Sequence, residues 1–151
     1  MESYQGNNSL FYTEHNKLFS TAETLINDLG LHGRVLMPGV VDNPFPWLSH
    51  GKVFVLCSKY EGFPNVILEA MACNIPIVAT RCPTGPEEII TDGKTGLLVK
   101  NNNAEKLEEA ILKLLNNPSL AKEISEKAFE EVKKWDIKKI TKEYEIIIQS
   151  I

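Results

Sequence analysis

Two glutamates eight positions apart, Glu61 and Glu69, bracket the stretch E-G-F-P-N-V-I-L-E and are the first candidates for chemistry in this sequence. The first carboxylate falls in a loop after an apolar run, and the second about one turn into the helix which that loop opens. Gly62 lets backbone approach a ligand closely. The amides from Asn65 to Ile67 would bring hydrogen-bond donors and the partial positive charge of a helix N-terminus, a combination suited to a diphosphate. Glu69, an ionised acceptor with two oxygens, has the chemistry to take both hydroxyls of a ribose. Glu61, farther out, has the chemistry to accept from hydroxyls on a group attached to the diphosphate. Spacing alone favours a plainer reading, a solvated loop residue and an exposed helix residue, because glutamates eight apart are common. The order of buried strand, Gly-Pro loop and Asn-capped helix turns the balance toward a site. A glycosidase pair is a third reading, but both carboxylates come from one short segment and nothing sets them across a sugar.

The elements that must position these groups follow from periodicity. Leu18, Phe19, Ala22, Leu25, Ile26 and Leu29 recur at helical spacing from Asn16, with Ser20 and Glu23 resembling a capping box and Gly30 as the stop. Residues 1–15 show no period and are expected to be loose. Val35 to Met37 is a short apolar run closed by Pro38-Gly39, and Pro44 to Leu48 suits a helical turn. Val53 to Cys57 and Ile75 to Ala79 are continuous apolar runs, the mark of strands covered on both faces. Between them, Asn65 is expected to cap a helix to about Cys73, with Asn74 ending it in a left-handed conformation. Pro86 opens a short helix to Ile90, and Leu97 to Val99 reads as a last short strand. Asn103 caps a helix to about Leu115, Pro118 opens another to about Lys134, and the last begins near Ile137. Its stripe of Ile137, Ile140, Tyr144, Ile147, Ile148 and Ile151 requires a partner, either another domain or a second copy of the chain. Strands alternating with helices predict a Rossmann-like parallel sheet, with ligands beyond the carboxyl ends of the strands, in a single domain spanning 1–151.

Composition narrows the classes. The 151 residues carry 16 Lys plus Arg against 20 Asp plus Glu, a net charge of −4, so no positive field exists to hold a nucleic acid. No apolar run approaches the roughly 20 residues of a membrane helix, and MESYQGNNSL lacks a basic-then-apolar leader pattern. Cys57, Cys73 and Cys82 are an odd number without C-x-x-C spacing, which suits reduced thiols and a cytoplasmic setting. His15, His32 and His50 lie on separate segments with no ligand spacing, so no metal site is expected.

The motifs in order are specific. Ser58 to Ala72, then Ile75-Pro76-Ile77-Val78-Ala79-Thr80, Gly85-Pro86-Glu87-Glu88-Ile89-Ile90 and Asp92-Gly93-Lys94-Thr95-Gly96-Leu97-Leu98-Val99, strongly resemble group 1 (family 4) retaining glycosyltransferases of the GT-B fold. The ending Trp135-Asp136-Ile137, with a helix through Tyr144, is similar to that family's C-terminal end. The resemblance implies a C-terminal donor-binding domain and a nucleotide-sugar site whose E-x7-E motif falls on Glu61 and Glu69. It puts Glu69 on the nucleotide ribose, with Glu61 as the catalytic candidate. Gly62, Phe63, Pro64, Asn65 and Val66 fall near donor sugar and diphosphate, and Val40 beside the base. Arg81 and Gly85 complete the substrate-binding set.

No Asp-x-Asp occurs, which fits metal-independent chemistry, with no cofactor beyond a donor expected to be UDP-linked. The implied function is transfer of a hexosyl or N-acetylhexosaminyl group in polysaccharide or glycoconjugate assembly, in the cytoplasm or at the inner face of the membrane. The acceptor would be a glycan or a lipid-linked sugar. Nothing before Leu18 matches the family's acceptor domain or the two strands that supply an Arg and a Lys for the diphosphate, so the chain reads as N-terminally truncated and inactive in transfer alone. Arg81 and Lys59 are the substitutes for those cations, since Arg34 precedes a strand, at the end away from the site. Asn74 stands where Gly is usual, and Gly51-Lys52 where Ala-Asp is common. The alternatives are a non-catalytic nucleotide-sugar-binding remnant and a GT-B-like sugar-nucleotide epimerase.

Overall fold

A computed structural model describes residues 12–149 of the chain. It falls into two compact units, one ending at Asp42 and one beginning at Asn43, where the sequence reads as one domain. The first unit holds helix α1, Tyr12–Asp28. The helix starts four residues before the expected Asn16, so the tract expected to be loose is helical from Tyr12, and its earlier part lies outside the described residues. Ser20 and Glu23 therefore sit inside the helix and not at its N-terminus. The expected stop is present: Gly30 has φ +63, Leu31 N donates to Ile26 O at 2.9 Å and Gly30 N to Asn27 O at 3.0 Å, the paired bonds of a Schellman turn. Val35 to Met37, expected as a strand, forms none. A strand exists through its ladder bonds, and no other described segment pairs with this run.

The second unit begins with α2, Phe45–Ser49, followed by β1, Phe54–Leu56; α3, Asn65–Ala72; β2, Ile77–Arg81; α4, Pro86–Ile89; and β3, Leu97–Lys100. After them come α5, Ala104–Leu115, α6, Pro118–Val132, a 3-10 turn at Lys133–Trp135, and α7, Ile137–Gln149. The three strands form one parallel sheet in the order β1-β2-β3. Val55 stands opposite Val78, and Ala79 opposite Leu98.

Strand periodicity explains the continuous apolar runs. Ile77 and Ala79 point into a cluster with Ile67, Ala70 and Met71 of α3, Ile89 of α4, and Ala128 of α6. Val78, between them, points the other way, toward Ala110 and Leu114 of α5 and Ile124 of α6. Ile77, Val78 and Ala79 have no exposed surface. β1 departs from the expectation of burial on both faces. It lies at the edge of the sheet, and its three residues are half-buried.

The register of β1 and β2 brings two loops together at their carboxyl ends, residues 57–64 and 82–85. The Thr80 hydroxyl donates to Ser58 O at 2.6 Å, and the Cys82 thiol donates to the same carbonyl at 3.0 Å. The Thr84 hydroxyl donates to Glu61 O, and from beyond β3 the Asn101 side-chain amide donates to Lys59 O at 3.0 Å. Gly85 makes the closest approach. A Cβ there would lie 2.6 Å from Gly62 O and 2.7 Å from Pro64 Cδ, and its φ of +91 is one that L side chains rarely adopt.

Gly85→Ala is therefore expected to destabilise the second unit by about 1–3 kcal/mol, from backbone strain and the clash together. Urea unfolding checks this. A midpoint equal to that of the unchanged chain would show that the two loops separate freely.

Candidate functional site

The loop of residues 57–64 delivers the backbone into α3, whose first turn and second turn carry the functional groups. Pro64, and not the expected Asn65, occupies the N-cap position, and no side chain caps this helix. Proline has a carbonyl but no side-chain acceptor, so the first amides of α3 keep their donors for something other than a capping group. Ile67 N turns back to Pro64 O at 3.0 Å, while Asn65 N and Val66 N donate to no described residue. The other end closes as expected. Asn74 has φ +57, Ile75 N donates to Ala70 O at 3.2 Å and Asn74 N to Met71 O at 3.0 Å.

Glu69 lies four residues beyond Asn65, about 6 Å up the axis at the helical rise of about 1.5 Å per residue. Its carboxylate is half-buried and forms no ion pair or side-chain hydrogen bond with any described residue. One turn later stands Cys73, whose thiol pKa is raised above its ordinary value, first by burial and then by the negative charge of Glu69. Glu61 is half-buried in the middle of the loop. The Ser58 hydroxyl donates to its Oε1 at 2.5 Å, while its backbone carbonyl takes the Thr84 hydroxyl. An N-terminal helix turn with free amides and two acidic acceptors, one in the loop before it and one in the turn after it, can hold an anion with hydroxyl-bearing groups on both sides.

The remaining expected residues divide by position. Gly62, Phe63, Asn65 and Val66 are exposed along the loop and first turn, available to a ligand. Phe63 also has a protein partner: its ring lies 5.2 Å from that of Trp135, tilted by 52°. Pro64 and Gly85, expected to line the substrate, are buried; both are used where the two loops meet. Arg81 is engaged as well. Its guanidinium pairs with Glu87 and, at 2.6 Å, with Asp92, and the hydrogen bond to Glu87 followed by the charge of Asp92 holds its pKa above the ordinary value. Two carboxylates on one guanidinium compensate its charge, so the expectation that Arg81 replaces a phosphate-binding cation meets a competing pair. Lys59 forms no ion pair with the described residues and borders an open hollow of about 340 Å³ with Tyr60, Asn101 and Asn102. Val40 belongs to the first unit.

Among the described residues no three His, Cys, Asp or Glu side chains gather as a metal site, and no helix is long and apolar enough to cross a membrane. Of the stripe expected on α7, Ile148 is described and exposed. The side chains of Ile137, Ile140, Tyr144 and Ile147, and all of Ile151, lie outside the described residues. Sequence reasoning missed the polar groups that hold the site's loop: Ser58, Thr80, Thr84 and Asn101. Thr80 carried a signal, a lone hydroxyl closing an otherwise apolar run.

The chain is similar to known proteins in sequence and in fold. The family model for Glycosyl transferases group 1 matches residues 15–131. An uncharacterized glycosyltransferase of Methanocaldococcus jannaschii is 33% identical over 88% of this chain and 40% of its own length. A poly(ribitol-phosphate) alpha-N-acetylglucosaminyltransferase of Staphylococcus aureus is 36% identical over 72% of the chain and 22% of its own length. Among solved structures, Anabaena HepE in complex with UDP superposes with a TM-score of 0.87 over 92% of this chain and 38% of that one, at 22% identity, which speaks to the fold. The chain thus spans two fifths or less of the length of these proteins. Its parallel sheet with flanking helices is the Rossmann-like architecture of the GT-B C-terminal domain, and the chain belongs to the group 1 glycosyl transferases.

Proposed function

We propose that the unit beginning at Asn43 binds the nucleoside diphosphate end of a nucleotide sugar, as the donor-binding part of a retaining hexosyl or N-acetylhexosaminyl transferase. The observation that carries the reading is α3: an N-terminus free of any side-chain cap, with half-buried Glu69 one turn in and unpaired among the described residues. The amides of Asn65 and Val66 face the diphosphate, and Glu69 accepts from the two ribose hydroxyls. Glu61 stands at the sugar end. As the sugar departs, negative charge grows on the diphosphate, and amides already oriented by the helix stabilise it without reorganising. Lys59, in the loop before α3, forms no ion pair with the described residues and is the proposed cation. UDP is the proposed nucleotide, supported by the UDP in the HepE complex, and polysaccharide or glycoconjugate assembly the proposed setting, supported by the name of the Staphylococcus aureus relative.

A second reading, binding without turnover, draws on Arg81. Its pairing with Glu87 and Asp92 leaves the diphosphate with fewer cations than transfer calls for. The two readings share the binding step and differ in whether a sugar is then transferred.

Calorimetric titration with UDP should give saturable binding, weakened by about 1–3 kcal/mol in Glu69→Ala, the range for a hydrogen-bonded charged group. Equal affinity in the two proteins would remove Glu69 from the ribose. The same titration in excess chelator should be unchanged, because the proposed contacts are amides and carboxylates without a bridging cation; affinity that collapses and returns with magnesium or manganese would contradict this. Radiolabelled UDP sugars offered with lipid-linked and free-sugar acceptors should yield no transfer by the 151-residue chain alone. Transfer needs donor and acceptor held in one geometry, an effect worth several kcal/mol. Product formation lost in Glu61→Ala would show that the chain holds its own acceptor site.

A further inference from the structure

We propose that Ser58 is a positioning residue that sets the Glu61 carboxylate for the sugar of the donor, an inference that rests on the donor reading above. The Ser58 hydroxyl donates to Glu61 Oε1 at 2.5 Å, a short charge-assisted contact. The other oxygen, Oε2, takes no hydrogen bond from any described residue and is the one left for a ligand hydroxyl. The backbone of Glu61 is fixed independently, since its carbonyl accepts the Thr84 hydroxyl. Glu61 is thus held at two points, and one acceptor remains open.

The holder is itself held. Ser58 O accepts the Thr80 hydroxyl at 2.6 Å and the Cys82 thiol at 3.0 Å, and those two residues, 5% and 2% exposed, belong to the buried end of β2 and the residue after it. A loop glutamate left to itself would spread over several rotamers and lose that freedom on binding. Here the loss is taken on folding, through a chain that runs from the buried strand to Ser58 and from Ser58 to the carboxylate. Ser58 touches no ligand in this scheme; it acts through Glu61 alone.

The test is titration of the 151-residue chain with UDP, UDP-glucose and UDP-N-acetylglucosamine, reading the ratio of sugar-nucleotide affinity to UDP affinity. Ser58→Ala should lower that ratio by about threefold to tenfold, the effect of one hydrogen bond, and leave the affinity for UDP within about twofold. Ser58→Thr, which keeps the hydroxyl, should restore most of it. In a Glu61→Ala background the Ser58→Ala change should have no further effect, because the interaction it removes is already gone. Should Ser58→Ala fail to fold, as judged by its thermal unfolding, Ser58→Cys takes its place, with similar volume and a weaker donor. A ratio unchanged in Ser58→Ala overturns the proposal, as does an effect that persists in full without Glu61, which would make Ser58 a prop for the loop. A ratio unchanged in Glu61→Ala removes the carboxylate from the sugar and the role of Ser58 with it. Failure of the unchanged chain to bind UDP at all is a different result, and overturns the donor reading beneath.

Discussion

The seating of one loop on another, at the point where Gly85 lies against Gly62 O and Pro64 Cδ, is the constraint on which the rest of the site depends. Both loops leave the sheet at adjacent strands, so their spacing is set by the distance between paired backbones and leaves no room for a side chain at Gly85. Around that contact the polar groups are satisfied in pairs. Ser58 O takes two donors from the β2 side, and Glu61 O takes the Thr84 hydroxyl. These partners hold the carbonyls on the protein side, where otherwise water would compete for them. With partners supplied by the neighbouring loop, the backbone path from Leu56 to Asn65 follows the sheet.

That path explains the chemistry available. A helix opened by proline has its first amides unclaimed, and here the opening is aimed by a loop clamped on its inner side. Charge is distributed with a similar economy. Arg81, at the end of β2, is spent on Glu87 and Asp92, tying the first turn of α4 to the turn that precedes β3. Asp92 also accepts from Leu98 N at 2.9 Å, so the same carboxylate anchors the start of that strand. These pairs are half-exposed, and their value is geometric more than energetic. Glu69 and Lys59 are left without ion pairs among the described residues, and Lys59 borders an open hollow.

The core explains why the sheet can carry such loops. β2 is buried on both faces, between α3, α4 and α6 on one side and α5 and α6 on the other, with α6 contributing Ala128 to one cluster and Ile124 to the other. The strand whose end supplies Thr80 and leads into Cys82 is therefore the best-covered element in the unit. Phe63, on the exposed side, adds a ring contact to Trp135, so the loop is also touched from the turn between α6 and α7.

Much of this was legible in the residues because it depends on local chemistry. The helices, the left-handed stops at Gly30 and Asn74, the Asn103 cap, which accepts from Lys106 N at 2.9 Å, and the parallel order of strands follow from periodicity and capping. The loop and helix that carry Glu61 and Glu69 were legible as elements, and the fold brings them to the end of β1; spacing alone favoured the plainer reading of the two glutamates. What the tertiary structure decided is which group meets which across the chain. Gly85 read as a substrate contact, and its packing role shows only in the fold, because only the neighbouring loop shows that a Cβ there has nowhere to go. Arg81 read as a substitute for a phosphate-binding cation, and the sequence did not show its carboxylate partners, which stand 6 and 11 residues away on other elements. Val35 to Met37 read as a strand, but strand formation needs an edge to pair with, and pairing is not a property of the run itself. Local propensity acts through a residue's nearest neighbours in sequence; the carbonyl of Ser58 finds its donors 22 and 24 residues away, and only the folded sheet brings them within reach.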